Sequence, residues 1–247
     1  MAPNPFTLEG KTILVTGASS GIGRSTAVAC SQMRATVVVN GRNEARLDAT
    51  LALMAPGSHV KAAGDLTGDV AAIVAPLPKL DGVVHCAGIG HSKLCKQIEA
   101  EDIDLVMGVN FKAPVLLQAE LLKQRKVNKG ASIVFVASIG YDYPNVANGI
   151  YCASKGALVS YANCLKLELA PRLIRVNVIS PGMVWTDLIV HGGMTEETLR
   201  EDEQNNYLFH QYNQPEDIAH LAVYLLSDAT RRMTGSNILF SAGAKRL

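Results

Sequence analysis

Tyr151 and Lys155 stand four residues apart in the segment YCASK, a spacing that puts a phenol and an ammonium on one face of a helix. An ordinary phenol, with a pKa near ~10, holds its proton too tightly to exchange it easily at neutral pH. An ammonium about 4 Å away stabilises the phenolate by roughly 4 kcal/mol at an effective dielectric of ~20, enough to lower the pKa by up to ~3. The pair therefore predicts a proton-transfer residue, Tyr151, activated by Lys155. A second chemistry-bearing pattern is Gly17-x-x-x-Gly21-x-Gly23, with Ser19, Ser20 and Ile22 inside it. Glycines there let the backbone turn and approach a ligand closely. The helix that follows offers unpaired N–H groups to a pyrophosphate. Downstream, Asn40-Gly41-Arg42 places a guanidinium, and no carboxylate, where a dinucleotide-binding fold holds the adenosine ribose. Arg42 suits a 2′-phosphate, so NADP(H) is expected, with NAD(H) the alternative. Asp65 is placed to accept a hydrogen bond from the adenine amino group.

These groups need a scaffold, and the chain alternates apolar runs with helix-period stretches. Residues 11–16 (KTILVT), 35–40 (ATVVVN), 59–63, 82–86, 132–138 (SIVFVAS), 174–180 and 237–240 read as strands. Helical stretches cover 21–34, 43–55, 103–124 and 151–169. Continuous apolar strands separated by helices imply a mostly parallel sheet covered on both faces. Right-handed crossovers make it a doubly wound α/β (Rossmann) fold of about seven strands. Nothing marks a domain boundary, so residues 1–247 are expected to form one dinucleotide-binding and catalytic domain. The stretch 187–212 breaks the alternation with Gly192-Gly193, a charged patch and then Tyr207, Leu208, Phe209 and Tyr212; it is expected to act as a substrate lid.

Composition narrows the function class. Lys and Arg number 23 against 22 Asp and Glu, which argues against a nucleic-acid surface; the run Lys123, Arg125, Lys126, Lys129 reads as a solvated helix end. The 5 cysteines are odd in number without a CxxC pair, and the histidines (59, 85, 91, 191, 210 and 220) form no close ligand pair. No disulfide framework or metal is expected, and a reducing, cytoplasmic setting fits. His91, after Gly90, is a candidate substrate contact. No secretory signal or run of ~18 apolar residues is visible, so no membrane partner is expected. Lys245-Arg246-Leu247 lacks the small residue of a peroxisomal address.

Taken together, the motif from Thr16 to Gly23, Cys86-Ala87-Gly88, Asn110, Ser138, Tyr151 with Lys155, and Pro181-Gly182 followed by Thr186 resemble the short-chain dehydrogenase/reductase family. Their order and spacing match, including the 13 positions from Ser138 to Tyr151, and the resemblance runs from Lys11 to Gly243. It implies catalytic roles for Asn110, Ser138, Tyr151 and Lys155. Tyr151 would exchange a proton with the carbonyl or alcohol oxygen and Ser138 would position that oxygen. Lys155 would hold the nicotinamide ribose, and Asn110 would hold a water that links Lys155 to a proton relay. Cofactor contacts would come from Gly17, Ser19, Ser20, Gly21, Ile22, Gly23, Arg42, Asp65, Leu66, Ala87, Gly88, Asn110, Tyr151, Lys155, Pro181, Gly182 and Thr186, the last binding the carboxamide. His85-Cys86 replaces the Asn-Asn common in the family, and Ser241-Ala242-Gly243 replaces Asp-Gly-Gly.

The expected activity is hydride transfer between nicotinamide and a carbonyl or alcohol, as reduction of a ketone or 3-oxoacyl thioester. The alternatives are an NAD-dependent alcohol or sugar-alcohol dehydrogenase and a non-catalytic dinucleotide-sensing protein. Candidate substrate liners are Tyr143, Pro144, Asn145, Asn148, Met183, Trp185, Leu188 and Phe209. The resemblance also implies a homo-oligomer, a tetramer foremost, joined through 111–124 and 151–169.

Overall fold

The β-branched runs become seven strands in the computed structural model, which describes residues 4–190 and 194–245. Gly192, Gly193, His191, Arg246 and Leu247 lie outside the described residues. β1 (Thr12–Val15), β2 (Thr36–Gly41), β3 (Val60–Ala63), β4 (Leu80–His85), β5 (Val127–Val136), β6 (Arg175–Pro181) and β7 (Asn237–Phe240) form one parallel sheet in the order β3-β2-β1-β4-β5-β6-β7. Strand order reverses between β1 and β4, so their C-terminal ends diverge into a crevice, the place where such sheets bind ligands. β5 begins five residues before the expected 132 because Val127 already pairs with Leu80, ahead of an irregularity that restores register at Gly82–Ser132.

The helices are α1 (Gly21–Gln32), α2 (Glu44–Leu53), α3 (Val70–Val74), α4 (Ala100–Met107), α5 (Ala113–Lys123), α6 (Gly149–Leu169), α7 (Asp187–Val190), α8 (Glu196–Asn206) and α9 (Pro215–Leu226). They cover both faces of the sheet. On one, α1 and α9 pack Ala27, Cys30, Ile218 and Ala222 against Ile13, Val15 and Val84. On the other, α5 and α6 pack Leu117, Leu121, Leu158 and Leu165 against Val83, Ile133 and Phe135. Burying one such aliphatic side chain is worth about 1.5–3 kcal/mol. The two faces therefore fix the sheet edge on which the site is built.

A π-turn, Gly108–Lys112, joins α4 to α5. The resulting continuous helix, Ala100–Lys123, is long and apolar enough by length and composition to cross a membrane. Lys112 and Glu120 interrupt its apolar run. Its Ala113, Leu117 and Leu121 are buried against the sheet, as in the core helix of a globular fold. The basic run serves local structure: Lys126 Nζ donates to the carbonyls of Ala75 and Leu77 at 2.8 and 2.6 Å.

Candidate active site

At the reversal of strand order lies a cleft of about 460 Å³, lined by the glycine loop, the ends of β2 and β4, Asp65, Leu66, Tyr151, Lys155 and Thr186–Leu188. Its floor is a loop that only glycine can form. Gly17 has φ +65, and a Cβ there would come within 2.9 Å of Ala87 Cα; a Cβ on Gly23 would lie 2.3 Å from the Gly17 carbonyl oxygen. The loop is pinned to β4 by Thr16, whose hydroxyl accepts from the N–H groups of Cys86 and Ala87, both at 3.1 Å. Sequence alone placed Thr16 only at the head of the motif; its clamp across two strands has no local signature. Ser20 sits at the α1 N-cap without a side-chain capping bond, so the first turn of α1 opens on the cleft. Such a cradle fits a dinucleotide pyrophosphate, since added side chains would fill it.

The adenosine end is walled by Asn40, Gly41, Arg42, Arg46, Asp65 and Leu66. Asn40 Nδ2 donates to the Ala62 carbonyl at 2.8 Å, fixing β2 against β3. Arg42 Nη1 lies 4.0 Å from Asp65 Oδ2, with both side chains exposed. Asp65 accepts from the Thr67 backbone N–H and hydroxyl at 2.9 and 2.8 Å. These two bonds hold its carboxyl below the usual range, and Arg42 adds a smaller push in the same direction. Its principal visible work is turn formation.

At the other end, α6 delivers Tyr151 and Lys155 from one face, as their spacing predicts. Lys155 Nζ is buried, donates to the Val136 carbonyl at 3.1 Å and lies 5.7 Å from the Tyr151 ring centroid. Burial pushes its ammonium down to about 8. Tyr151 departs from expectation: its phenol is held above the ordinary value, because burial outweighs the opposing hydrogen bond with Ser138. The four-residue spacing implies a cation near a phenol, but the desolvation of both groups has no local sequence signal. Ser138, just after β5, also accepts from the Gly140 N–H at 3.1 Å.

Asn110 is fully buried in the π-turn. Its Oδ1 accepts from Ile89 N–H at 2.8 Å, and its Nδ2 donates to the Ile89 carbonyl at 3.0 Å and to Ser154 Oγ at 3.1 Å. The side chain is thus engaged by protein groups on both its oxygen and its nitrogen. Ser154, overlooked by the sequence reading, passes the connection on by donating to the Tyr151 carbonyl at 2.7 Å. A Cβ on Gly88 would lie 3.3 Å from both Asn110 Oδ1 and Lys155 Nζ. That glycine lets β4 approach the reacting end.

Thr186 reaches over the glycine loop, 3.1 Å from a Cβ built on Gly21. Pro181 and Gly182 do not line the cleft. Pro181 ends β6, and Gly182 N–H donates to the Phe240 carbonyl at 2.9 Å, so the two aim the following Thr186. Among the candidate liners only Leu188 borders the cleft. Trp185 Nε1 donates to the buried Glu203 Oε1 at 2.7 Å and stacks under Arg200, while Met183 packs in the same cluster with Tyr207 and Tyr212. Phe209 is exposed. His91 is occupied by Asp102 at 3.0 Å, a carboxylate that also takes Lys93 Nζ at 2.6 Å.

A family model described as Enoyl-(Acyl carrier protein) reductase matches residues 17–245. The 3-oxoacyl-[acyl-carrier-protein] reductase FabG of Rickettsia felis is 31% identical over 237 residues, covering 96% of this chain and 97% of that protein. A dehydrogenase/reductase from Sinorhizobium meliloti superposes with TM-score 0.86 at 31% identity, covering 97% of this chain and 96% of the other. A 3-oxoacyl (acyl-carrier-protein) reductase from Agrobacterium tumefaciens with NADP bound superposes with TM-score 0.84 at 25% identity, again covering 97% and 96%. With a parallel sheet in this order, a glycine cradle at its switch point and Tyr151 beside Lys155 at the far end of the cleft, these full-length matches have one reading: the chain belongs to the short-chain dehydrogenase/reductase family of oxidoreductases.

Proposed function

We propose that the protein is an NADP(H)-dependent reductase that converts a ketone or 3-oxoacyl thioester into the secondary alcohol. The observation that carries the reading is one cleft with Arg42 and Arg46 at one end and, at the other, Lys155 and Tyr151, the latter hydrogen-bonded to Ser138. The relative named as a 3-oxoacyl reductase and the structure with NADP bound support the substrate class and the cofactor.

When bound, NADP(H) supplies or receives the hydride. Tyr151 holds the proton that passes to the carbonyl oxygen, and Ser138 orients that oxygen by a hydrogen bond. Lys155 serves the ribose hydroxyls from a desolvated position, where an ammonium makes strong bonds. Any water on the relay would rest on the main chain at Asn110. Thr186 binds the carboxamide, and the glycine loop with Ser19, Ser20 and Ile22 binds the pyrophosphate. The proton donor and the oxygen it serves argue for carbonyl reduction over the enoyl reduction in the family model's description.

Residues 1–247 act as one domain in this reading. α7 and α8 form the lid, anchored by the Trp185–Glu203 bond and leaving Leu208 and Phe209 exposed towards solvent. Leu116 and Leu167, exposed on α5 and α6, support a homotetramer joined through these helices. The odd number of cysteines and the lack of a CxxC pair support a reducing, cytoplasmic location.

A panel of ketones, 3-oxoacyl thioesters, alcohols and sugar alcohols, followed at the NAD(P)H absorbance, tests the proposal. Turnover of carbonyls with NADPH well above NADH is expected, and Arg42→Ala should reduce that preference by about tenfold or more. Faster turnover of alcohols with NAD would favour the dehydrogenase alternative; NADPH binding with no turnover on any substrate would favour a sensor. Because burial raises the Tyr151 pKa, the phenol stays protonated through neutrality. Carbonyl reduction should therefore vary little between pH 6 and 8, whereas alcohol oxidation, which needs phenolate, should rise with pH. A reduction rate falling steeply across that range would contradict this assignment.

A further inference from the structure

Arg46 faces the cleft from the first turn of α2, and Asp187 faces it from the start of α7. Arg46 Nη1 lies 3.6 Å from Asp187 Oδ2, an ion pair joining two walls far apart in sequence. The base of Arg46 is fixed. The Thr50 hydroxyl, one turn on, lies 2.8 Å from the Ala18 carbonyl and 3.0 Å from the Arg46 carbonyl. Arg24 ties the same turn to the glycine loop, donating from Nε to Thr50 at 3.2 Å and from Nη2 to the Ser19 carbonyl at 2.5 Å. Arg46 therefore projects from a turn locked to the phosphate cradle, four residues after Arg42 on the same rim.

We infer that Arg46 is a second determinant of the cofactor's 2′-phosphate and that Asp187 competes with the phosphate for it. The inference rests on the NADP(H) reading above. Among the described residues, each guanidinium is paired with an exposed, loosely spaced carboxylate, Asp65 for Arg42 and Asp187 for Arg46. Exposed ion pairs of this kind change an equilibrium by a factor of about five at most. A phosphate dianion offers bidentate, charge-assisted bonds that outcompete them. With a 2′-phosphate present Arg46 turns to it and releases Asp187; with a 2′-hydroxyl the pair stays closed. Asp187 adjoins Thr186, which stands over Gly21, so the pair links the adenosine rim of the cleft to the start of α7.

Titration calorimetry of the full chain with adenosine 2′,5′-bisphosphate and with 5′-ADP tests this without turnover. Arg46→Gln should weaken the bisphosphate by about tenfold and 5′-ADP by less than twofold. Asp187→Asn should tighten the bisphosphate by about two- to fivefold, and that gain should vanish when Arg46→Gln is added. No gain in Asp187→Asn, or a gain that survives in the double variant, overturns the inference. Equal wild-type affinities for the two probes would sink the NADP(H) reading itself. A bisphosphate preference that Arg42→Gln removes and Arg46→Gln spares would sink this inference alone. Both side chains are exposed, so the variants should fold; unchanged circular dichroism checks that.

Discussion

Tyr151→Phe should lower carbonyl reduction at saturating NADPH and substrate by about 10³-fold while leaving NADPH affinity within about twofold. The substitution removes one oxygen, and the hydrogen bond lost is the one with Ser138. The ring keeps its place, because α6 is set by the burial of Ile150, Leu158 and Leu165 and by the Ser154 bond to the Tyr151 main chain, which the mutation does not touch. Single-turnover absorbance and a binding titration on the same preparation separate the two effects. Retention of more than a tenth of the wild-type rate would remove Tyr151 from its role.

Lys155→Met should also abolish useful turnover, by about 10²-fold or more, yet make the protein more stable. Burial depresses the ammonium from its ordinary 10.5 to about 8, which corresponds to a folded-state cost of about 3 kcal/mol at ~1.36 kcal/mol per pKa unit. Loss of the donor to Val136 returns about 1 kcal/mol of that, so a net gain of about 2 kcal/mol is expected at pH 7. The sign follows from the depressed value. The cost is fully present below pH 8 and is relieved as pH rises towards 10.5, where the unfolded chain also loses its proton. Urea unfolding at pH 7 and pH 10 should show a large advantage for the variant at the first and a small one at the second. An equal advantage at both would mean that the charge is not its source.

Much of this architecture was legible from local pattern. Runs such as TVVVN and SIVFV specify buried parallel strands, and β7 coincides with its expected 237–240. The glycine spacing and the four-residue step from Tyr151 to Lys155 carry the cleft's two ends, because each is a short-range geometric requirement. What escaped depends on contacts distant in sequence. Asn110 is singled out by the family's order and spacing, but only the fold shows its amide bonded to Ile89 and Ser154. Trp185 reads as a substrate liner until Glu203 is seen to hold it. Charge is the least legible. The nearness of Lys155 can be read from spacing, but the desolvation that raises the Tyr151 pKa cannot. The Arg46–Asp187 pair lacks a sequence signal, since each residue alone resembles a solvated charge.

The reversal of strand order between β1 and β4 also bears on how such a protein can diversify. One part of the cleft lining comes from residues up to Thr67 and the rest from Cys86 onward. On the function proposed above, the choice of dinucleotide and the choice of substrate would be encoded largely in separate stretches of the chain. Either stretch can be exchanged while the other keeps its work, which is how one scaffold accumulates many chemistries. Arg46 with Asp187 crosses that division, and there the two halves would have to vary together.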